Sequence, residues 1–536
     1  MIVVEAPAIA RDLVPPAAVQ RRAWLLWLPL AAIVAAQVVL SARLIPASYA
    51  SGDEGRYIYA GHQLIYELWH GGGSPFYETY FSGAPVIYPV LAAMADYAGG
   101  LTAACLMSTV FMVVATIMLF LVTRELFGYW SAILASGLFA GLGLTQDLGA
   151  LATYDAMALM LISIAAYGAL RAGASVTARW LLAIPVLLFM ANATKYMTLI
   201  FDPFVITLAA LQVSGWKAIA KRIMVLGLAT LTLDTLFLSL AGVAYVRGLL
   251  FSTLARKGGS SAVFAAVKVG NPVIIGDTWK WIGPILAAAL LALLVAVLAR
   301  RDAKMIGIVG LLFFAGLIVT AEGFHLHTVE SMRKHDDFSA WFACAASGSI
   351  VARMHLRGVL PRLAAILIGC AVAVSGIYYS HAAKSTYEAG GSPTTLQIAS
   401  TLRPYLHLPD GRFLVGGLAT DQLVYLGKAT IPWFQLSDDL YIKYPIPGRG
   451  GDTHGQVLGR ACFHVGPGCM YLEGVAGYRA AIHAHYFDLI TMWGGHHIRQ
   501  DALIEQAVED TPGYVLIAIV AGAPTWIYAP AYRHQV

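Results

Sequence analysis

The sequence predicts an all-α polytopic membrane domain of about eleven spans over residues 1–380, followed by a C-terminal extracytoplasmic α/β domain over 381–536. Three observations lead there. Hydrophobic residues make up 59% of the 536 and charged residues only 12%, about half the rough quarter that a soluble globular chain carries. Apolar runs near bilayer length recur up to residue 380 and then give way to shorter ones. Basic residues gather in alternate connections between those runs, which is the bias of cytoplasmic loops.

The chain begins with a short arm, Met1 to Arg22, carrying Arg11, Arg21 and Arg22, and then runs apolar from Ala23 to Leu44 with a late interruption at Arg43. Ala47-Ser48-Tyr49-Ala50 resembles a signal cleavage site, but the run exceeds a signal core of roughly 7 to 15 residues, so an uncleaved span is expected. Further runs fall near 104–123, 130–147, 155–170, 180–194, 197–213, 223–246, 281–299, 305–321, 337–352 and 363–379. Arg124, Arg171 with Arg179, Lys217 with Lys221 and Arg222, Arg300 with Arg301 and Lys304, and Arg353 with Arg357 and Arg362 mark the cytoplasmic connections. The amino terminus is then inside and the carboxyl terminus outside. The formal charge of +5 is small, and no basic run interleaved with aromatics argues for nucleic acid.

The long connections 45–103, 247–280 and 322–336 lie on the opposite side, together with the tail. Ile58–Trp69 and Val86–Tyr97 read as interfacial pieces, and most aromatics of the first loop suit the headgroup level. The first loop opens on Ser51-Gly52-Asp53-Glu54-Gly55-Arg56-Tyr57, two carboxylates beside an arginine. At the mouth of a membrane domain, such a group offers a base for a hydroxyl and a cation for a phosphate. From the residues alone, Asp53 reads equally well as a base and as a carboxylate at a helix start.

Asp53-Glu54-Gly55-Arg56-Tyr57, Phe76-Tyr77-Glu78-Thr79, Pro85-Val86-Ile87-Tyr88-Pro89 and Arg124-Glu125-Leu126-Phe127-Gly128 follow one another in the order seen in polyprenyl-phosphate-sugar transferases. Thr153-Tyr154-Asp155-Ala156, Ala193-Thr194-Lys195-Tyr196 and Lys334-His335 continue the series. Over residues 20–380 the chain therefore resembles the GT-C glycosyltransferases, which include protein O-mannosyltransferases and the lipid A aminoarabinose transferase. Each motif alone is weak, and their order and shared placement carry the likeness.

The resemblance implies an inverting transfer of a sugar from a polyprenyl-phosphate donor to an extracytoplasmic hydroxyl of a glycan, lipid or protein. Residues 1–380 would form the catalytic domain, in a bacterial plasma membrane. Asp53 takes the place of the catalytic aspartate, with Glu54 as its partner. Arg56, Lys195, Lys334 and Arg256 are expected to bind the donor phosphate, with Arg247, Lys257 and Lys268 behind them. Glu78, Asp155, Tyr57 and His335 are expected to contact substrate, though Thr79 replaces a family lysine beside Glu78. Two residues keep structural alternatives: Lys195 as a snorkelling side chain and Asp155 as a partner of its helix dipole. No nucleotide site is required, and a divalent cation stays open. Some relatives hold a divalent ion, but His325-Leu326-His327 lacks a third ligand nearby and reads as structural or substrate-contacting.

In the tail, 412–417, 487–493 and 514–521 read as strands and 395–402, 420–427 and 501–509 as helices, a small α/β layer that caps the mouth or selects the acceptor. Cys105, Cys344 and Cys370 lie in apolar runs, while Cys462 and Cys469 are expected to bridge in an oxidising compartment. Two other readings stay open. A transporter would use Asp155, Asp202 and Asp234 as an ion path, although no inverted repeat is evident. A catalytically inactive relative would bind a lipid-linked sugar without transferring it.

Overall fold

The computed structural model describes residues 23–45, 52–70, 81–84, 86–174, 178–242, 245–246, 249–250, 268–299, 302–329, 332–353, 359–389, 397–398, 400–408, 411–416, 436–437, 443–445, 471–492, 498–520 and 522–532. Glu78, Arg247, Arg256, Lys257, Cys462, Cys469 and the segment 420–427 lie outside the described residues.

Helix α1 is Leu28–Ala42, entered through a 3-10 turn at Ala23–Trp27, and α2 is Gly52–His70. Helix α3, Tyr88–Phe127, kinks where Gly99 and Gly100 leave helical geometry, so Val86–Tyr97 is mostly the first leg of a long helix. Next come α4 (Tyr129–Gly141), α5 (Gly143–Leu148), α6 (Tyr154–Ala174) and α7 (Ala178–Thr194). A 3-10 turn, Tyr196–Phe201, leads into α8 (Asp202–Ala210), then α9 (Trp216–Ala241), α10 (Asn271–Trp281), α11 (Gly283–Leu298), α12 (Ala303–Leu326), α13 (Met332–Arg353) and α14 (Val359–Ala389).

Each apolar run of the sequence falls on this series, yet among the described residues only five helices are long and apolar enough to cross a membrane, or six counting α10 with α11. The difference has local causes. The run 130–147 breaks at Leu142, whose extended backbone separates α4 from α5. The runs 180–194 and 197–213 are shortened by the extended residue Lys195. Helices α10 and α11 meet at 84°, and α13 begins with the charged segment Arg333-Lys334-His335-Asp336-Asp337.

Lipid-facing leucines such as Leu182, Leu231, Leu240 and Leu298 are exposed, while small residues line the helix contacts. At Gly376 of α14 a Cβ would lie 2.0 Å from the Gly141 carbonyl oxygen, so those backbones touch, the close approach typical of membrane helices. Helix α3 packs on α2 and α6, α6 on α7, and α13 on α4, α11 and α12. This brings the starts of α2, α6 and α13 to one end of the bundle.

The composition change at 381 falls inside α14, which runs on to Ala389. Beyond it stands a sheet ordered β2-β1-β5-β7-β6: β1 is Phe413–Val415, β2 Leu436–Ser437, β5 Leu489–Thr491, β6 Tyr514–Val520 and β7 Ala523–Tyr528. Strand β1 runs parallel to β2 and β5, and β7 antiparallel to β5 and β6. A separate antiparallel ladder joins β3 (Lys443–Pro445) and β4 (Tyr471–Glu473). The period of two divides the sheet into two faces. Leu414, Ile490 and Trp526 pack on α15 (Gly474–His483) and α16 (Ile498–Glu509) through Tyr478, Ile482, Ile504 and Val508. Phe413, Val415, Leu489 and Ile527 face Ile398, Leu402 and Tyr59 of α2. The α/β layer thus rests on the helix that carries Asp53 in its first turn.

Candidate functional site

Helix α2 is fixed by its own first turns. Glu54 is fully buried and accepts hydrogen bonds from the Ala152 amide at 2.7 Å and from Cys105 Sγ at 3.4 Å. One turn on, Tyr57 sits among Tyr154, Phe81 and Tyr88, with ring centroids at 4.5, 5.0 and 6.2 Å. These contacts tie the start of α2 to the start of α6, so Asp53 and Asp155 share one neighbourhood.

Lys195 is delivered by a break in the chain. Its extended backbone separates α7 from the 3-10 turn, and the first loop laces onto that break through two main-chain bonds. The Ala84 amide donates to the Ala193 carbonyl at 2.6 Å, and the Tyr196 amide to the Ser82 carbonyl at 2.7 Å. Between them Gly83 is obligatory, because a Cβ there would lie 1.9 Å from the Thr194 oxygen. Lys195 so held forms an ion pair with Asp155, with its Nζ 4.9 Å from the centre of the Tyr154 ring.

Helix α13 supplies the remaining charges. Lys334 pairs with Asp53 across 281 residues of sequence. Arg333 pairs with Asp147 of α5 at 3.2 Å, and Thr145 Oγ1 donates to Asp337 at 2.8 Å. His335 turns the other way, with Nδ1 3.9 Å from Glu322 of α12.

The pairs differ in how open they are. In Lys195–Asp155 the side chains are 4% and 1% exposed, whereas in Lys334–Asp53 they are 18% and 46% exposed. Lys334 holds the Asp53 carboxyl down at about 2, against the cost of burial and with smaller contributions from Arg56 and Lys195. At 46% exposure solvent screens part of that pull. Burial first, then Tyr154 and the nearby carboxylates, raise the Tyr57 phenol well above its ordinary range and keep it protonated as a donor.

The geometry sorts the residues singled out by sequence. It brings together Asp53, Arg56, Tyr57, Asp155, Lys195 and Lys334. It gives Glu54 a holding position facing away from solvent, and it sends His335 toward α12. Lys195, read as a phosphate contact, is committed to Asp155 beneath the surface. Arg333 and Asp147 were missed, although an arginine directly before Lys334 was a visible signal. His327 terminates α12 at φ 54° and its carbonyl accepts from the Val269 amide at 2.8 Å, a structural place for the second histidine of His-x-His. Among the described residues, no three His, Cys, Asp or Glu side chains converge as metal ligands.

Residues 83–240 match the family model described as dolichyl-phosphate-mannose-protein mannosyltransferase. That stretch spans α3 to α9 and holds Asp155 and Lys195, so the resemblance to GT-C glycosyltransferases read from the motifs holds along it. Comparison with curated proteins finds no match. Among solved structures, the Archaeoglobus fulgidus oligosaccharyltransferase in complex with Zn and sulfate aligns at 13% identity and a TM-score of 0.49, over 92% of this chain and 73% of that one. The same enzyme tethered to an acceptor peptide aligns at 13% identity and 0.48, over 76% of this chain. There the aligned part spans 64% of the enzyme's length. ArnT from Cupriavidus metallidurans in the apo state aligns at 13% identity and 0.45, over 96% of this chain and 99% of that one.

Proposed function

With residues 83–240 carrying that family's signature, we propose that the chain is a membrane glycosyltransferase that moves a sugar from a polyprenyl-phosphate donor to a hydroxyl on the non-cytoplasmic side. One observation carries the reading: Asp53, half-exposed at the end of a membrane bundle, has Lys334 against it and Arg56 and Lys195 within electrostatic reach. A carboxylate open to the aqueous side can take a proton, and cations beside it can hold a phosphate.

The reaction is a single displacement. Asp53 accepts the proton of the acceptor hydroxyl, whose oxygen forms a bond to the anomeric carbon. The bond from that carbon to the phosphate oxygen breaks, and its electron pair leaves with polyprenyl phosphate. Attack opposite the leaving group inverts the anomeric centre. Lys334 and Arg56 meet the charge that grows on the phosphate, and fixed charges of this kind supply the larger share of barrier lowering. Lys195 and Asp155 form the dry floor, with the Tyr57 and Tyr154 rings packed beside them.

The donor enters from lipid and the acceptor from water, across the α/β layer that packs on Tyr59. That layer is placed to select a glycan, lipid or protein acceptor. A bacterial plasma membrane with the amino terminus in the cytoplasm and the C-terminal domain outside fits the alternation of basic loops.

Against the transporter reading, Asp155 is engaged by Lys195, and Asn192 Nδ2 donates to both Asp202 and Asp234, at 2.8 and 3.2 Å. The test is transfer from labelled polyprenyl-phosphate sugars by the purified chain and by Asp53→Asn. Transfer lost in the variant supports the enzyme. Donor binding without transfer by the unaltered chain points to an inactive relative, and flux without transfer to a transporter.

A further inference from the structure

The open ion pair at the mouth has a chemical oddity. Lys334 is the strongest influence holding Asp53 ionised and weakly basic, while the proposed reaction needs that carboxylate to take a proton. The neighbouring cations are engaged elsewhere: Arg333 with Asp147 at 3.2 Å and Lys195 with buried Asp155. Among the described residues Lys334 forms the ion pair with the reacting carboxylate, in the pair that solvent reaches, with Arg56 also in electrostatic reach. A lysine ammonium is a compact point charge on a flexible stem, with donors that can turn from one oxygen to another. A fixed guanidinium fork would not exchange partners so readily.

We propose that Lys334 serves two anions in turn: it holds Asp53 in the empty site and moves to the donor's phosphate, so that arrival of the donor frees the carboxylate to accept the acceptor's proton. The inference rests on the donor-site reading above and adds an order of events to it. Asp53 keeps Arg56, Lys195 and the Tyr57 phenol in its surroundings and loses its closest cation. The phosphate gains negative charge as the bond to the sugar breaks, so the hold of Lys334 on it tightens along the reaction. Before the donor arrives, an acceptor at the mouth meets a carboxylate already satisfied by Lys334.

The exchange predicts a coupling that a structural pair would not produce. Full-length protein in detergent is titrated with short-chain polyprenyl phosphate at pH 7, and binding is read by calorimetry. Asp53→Asn keeps the shape of the side chain but removes the competing charge, so it should bind roughly two- to fivefold more tightly than the unaltered chain. Lys334→Gln should bind more weakly, and the Asp53→Asn/Lys334→Gln double variant should match Lys334→Gln. Arg56→Gln should weaken binding yet preserve the gain from Asp53→Asn. Each variant is required to elute as a single symmetric peak. Equal or weaker binding by Asp53→Asn, or a gain that survives loss of Lys334, overturns the exchange while leaving the donor site standing. No binding by the unaltered chain or by Asp53→Asn overturns both.

Discussion

Gly83 is a tight point in the assembly of the site, and replacing it with alanine tests how Lys195 is held. The new Cβ would lie 1.9 Å from the Thr194 oxygen and 2.7 Å from its carbonyl carbon, both backbone atoms with no rotamer to yield. Ordinary contact begins at 3.4 Å, so the two segments must part by about 1.5 Å, which stretches the bonds of the Ala84 and Tyr196 amides beyond hydrogen-bonding range. Both donors belong to buried residues, and a buried amide left unpaired costs ~1–3 kcal/mol. Gly83→Ala should therefore lose about 2–6 kcal/mol of stability. Because Lys195 follows Thr194 directly, transfer should fall as well, by up to about 100-fold for a displacement near 1 Å. Gly227 of α9 is the matched control, since a Cβ there meets nothing within 4 Å, and Gly227→Ala should unfold at or above the unaltered temperature. Thermal unfolding followed by fluorescence-detected gel filtration, with the transfer assay alongside, reads both effects. A Gly83→Ala protein with an unchanged midpoint and rate would refute the claim that the first loop laces the Lys195 break into place.

Substitutions at three further positions separate holding from reacting. Glu54→Ala should cost ~1–3 kcal/mol by orphaning the Ala152 amide, whereas Glu54→Gln keeps an acceptor there and should retain most transfer; a well-folded, inactive Glu54→Gln protein would return Glu54 to a proton-transfer role. Breaking the buried pair with Lys195→Met or Asp155→Asn should cost ~3–5 kcal/mol each, and the double variant should recover much of that loss. Single and double variants that melt together would mean that the two charges are not coupled.

The helical bundle was legible because apolar run length reports the solvent around a segment, and each of the eleven runs lies on helix. Continuity was less legible, since it depends on single residues. Leu142 and Lys195 turn extended inside apolar stretches, and Ile282 sits at the 84° corner between α10 and α11. A hydropathy pattern averages over such positions. In the tail, β1, β5 and β6 appeared as apolar clusters, but β7 did not, because Pro524 and Thr525 interrupt its alternation. Its place is set by pairing on both sides, with β5 and β6. Helix α15 was likewise missed: its sequence Gly-Val-Ala-Gly-Tyr-Arg-Ala-Ala-Ile-His has two glycines and a short apolar stripe, and Tyr478, Ala481 and Ile482 acquire their meaning only against the sheet.

For the site, sequence supplied an expected side of the membrane and the residue types but not the partners. Alternating basic loops put the starts of α2 and α6, the Lys195 break and the start of α13 on one face, which is why Asp53, Asp155, Lys195 and Lys334 could be grouped at all. Nothing local says that Lys334 meets Asp53 while Lys195 meets Asp155. That choice follows from depth. Lys195 leaves a backbone break laced to the first loop by main-chain bonds and points into a dry floor, where only a buried carboxylate can receive it. Lys334 leaves the first turn of α13 at the rim, where its partner is open to exchange. The two lysines look alike in sequence, and the backbone that presents each one buries the first against Asp155 and leaves the second at the rim beside Asp53.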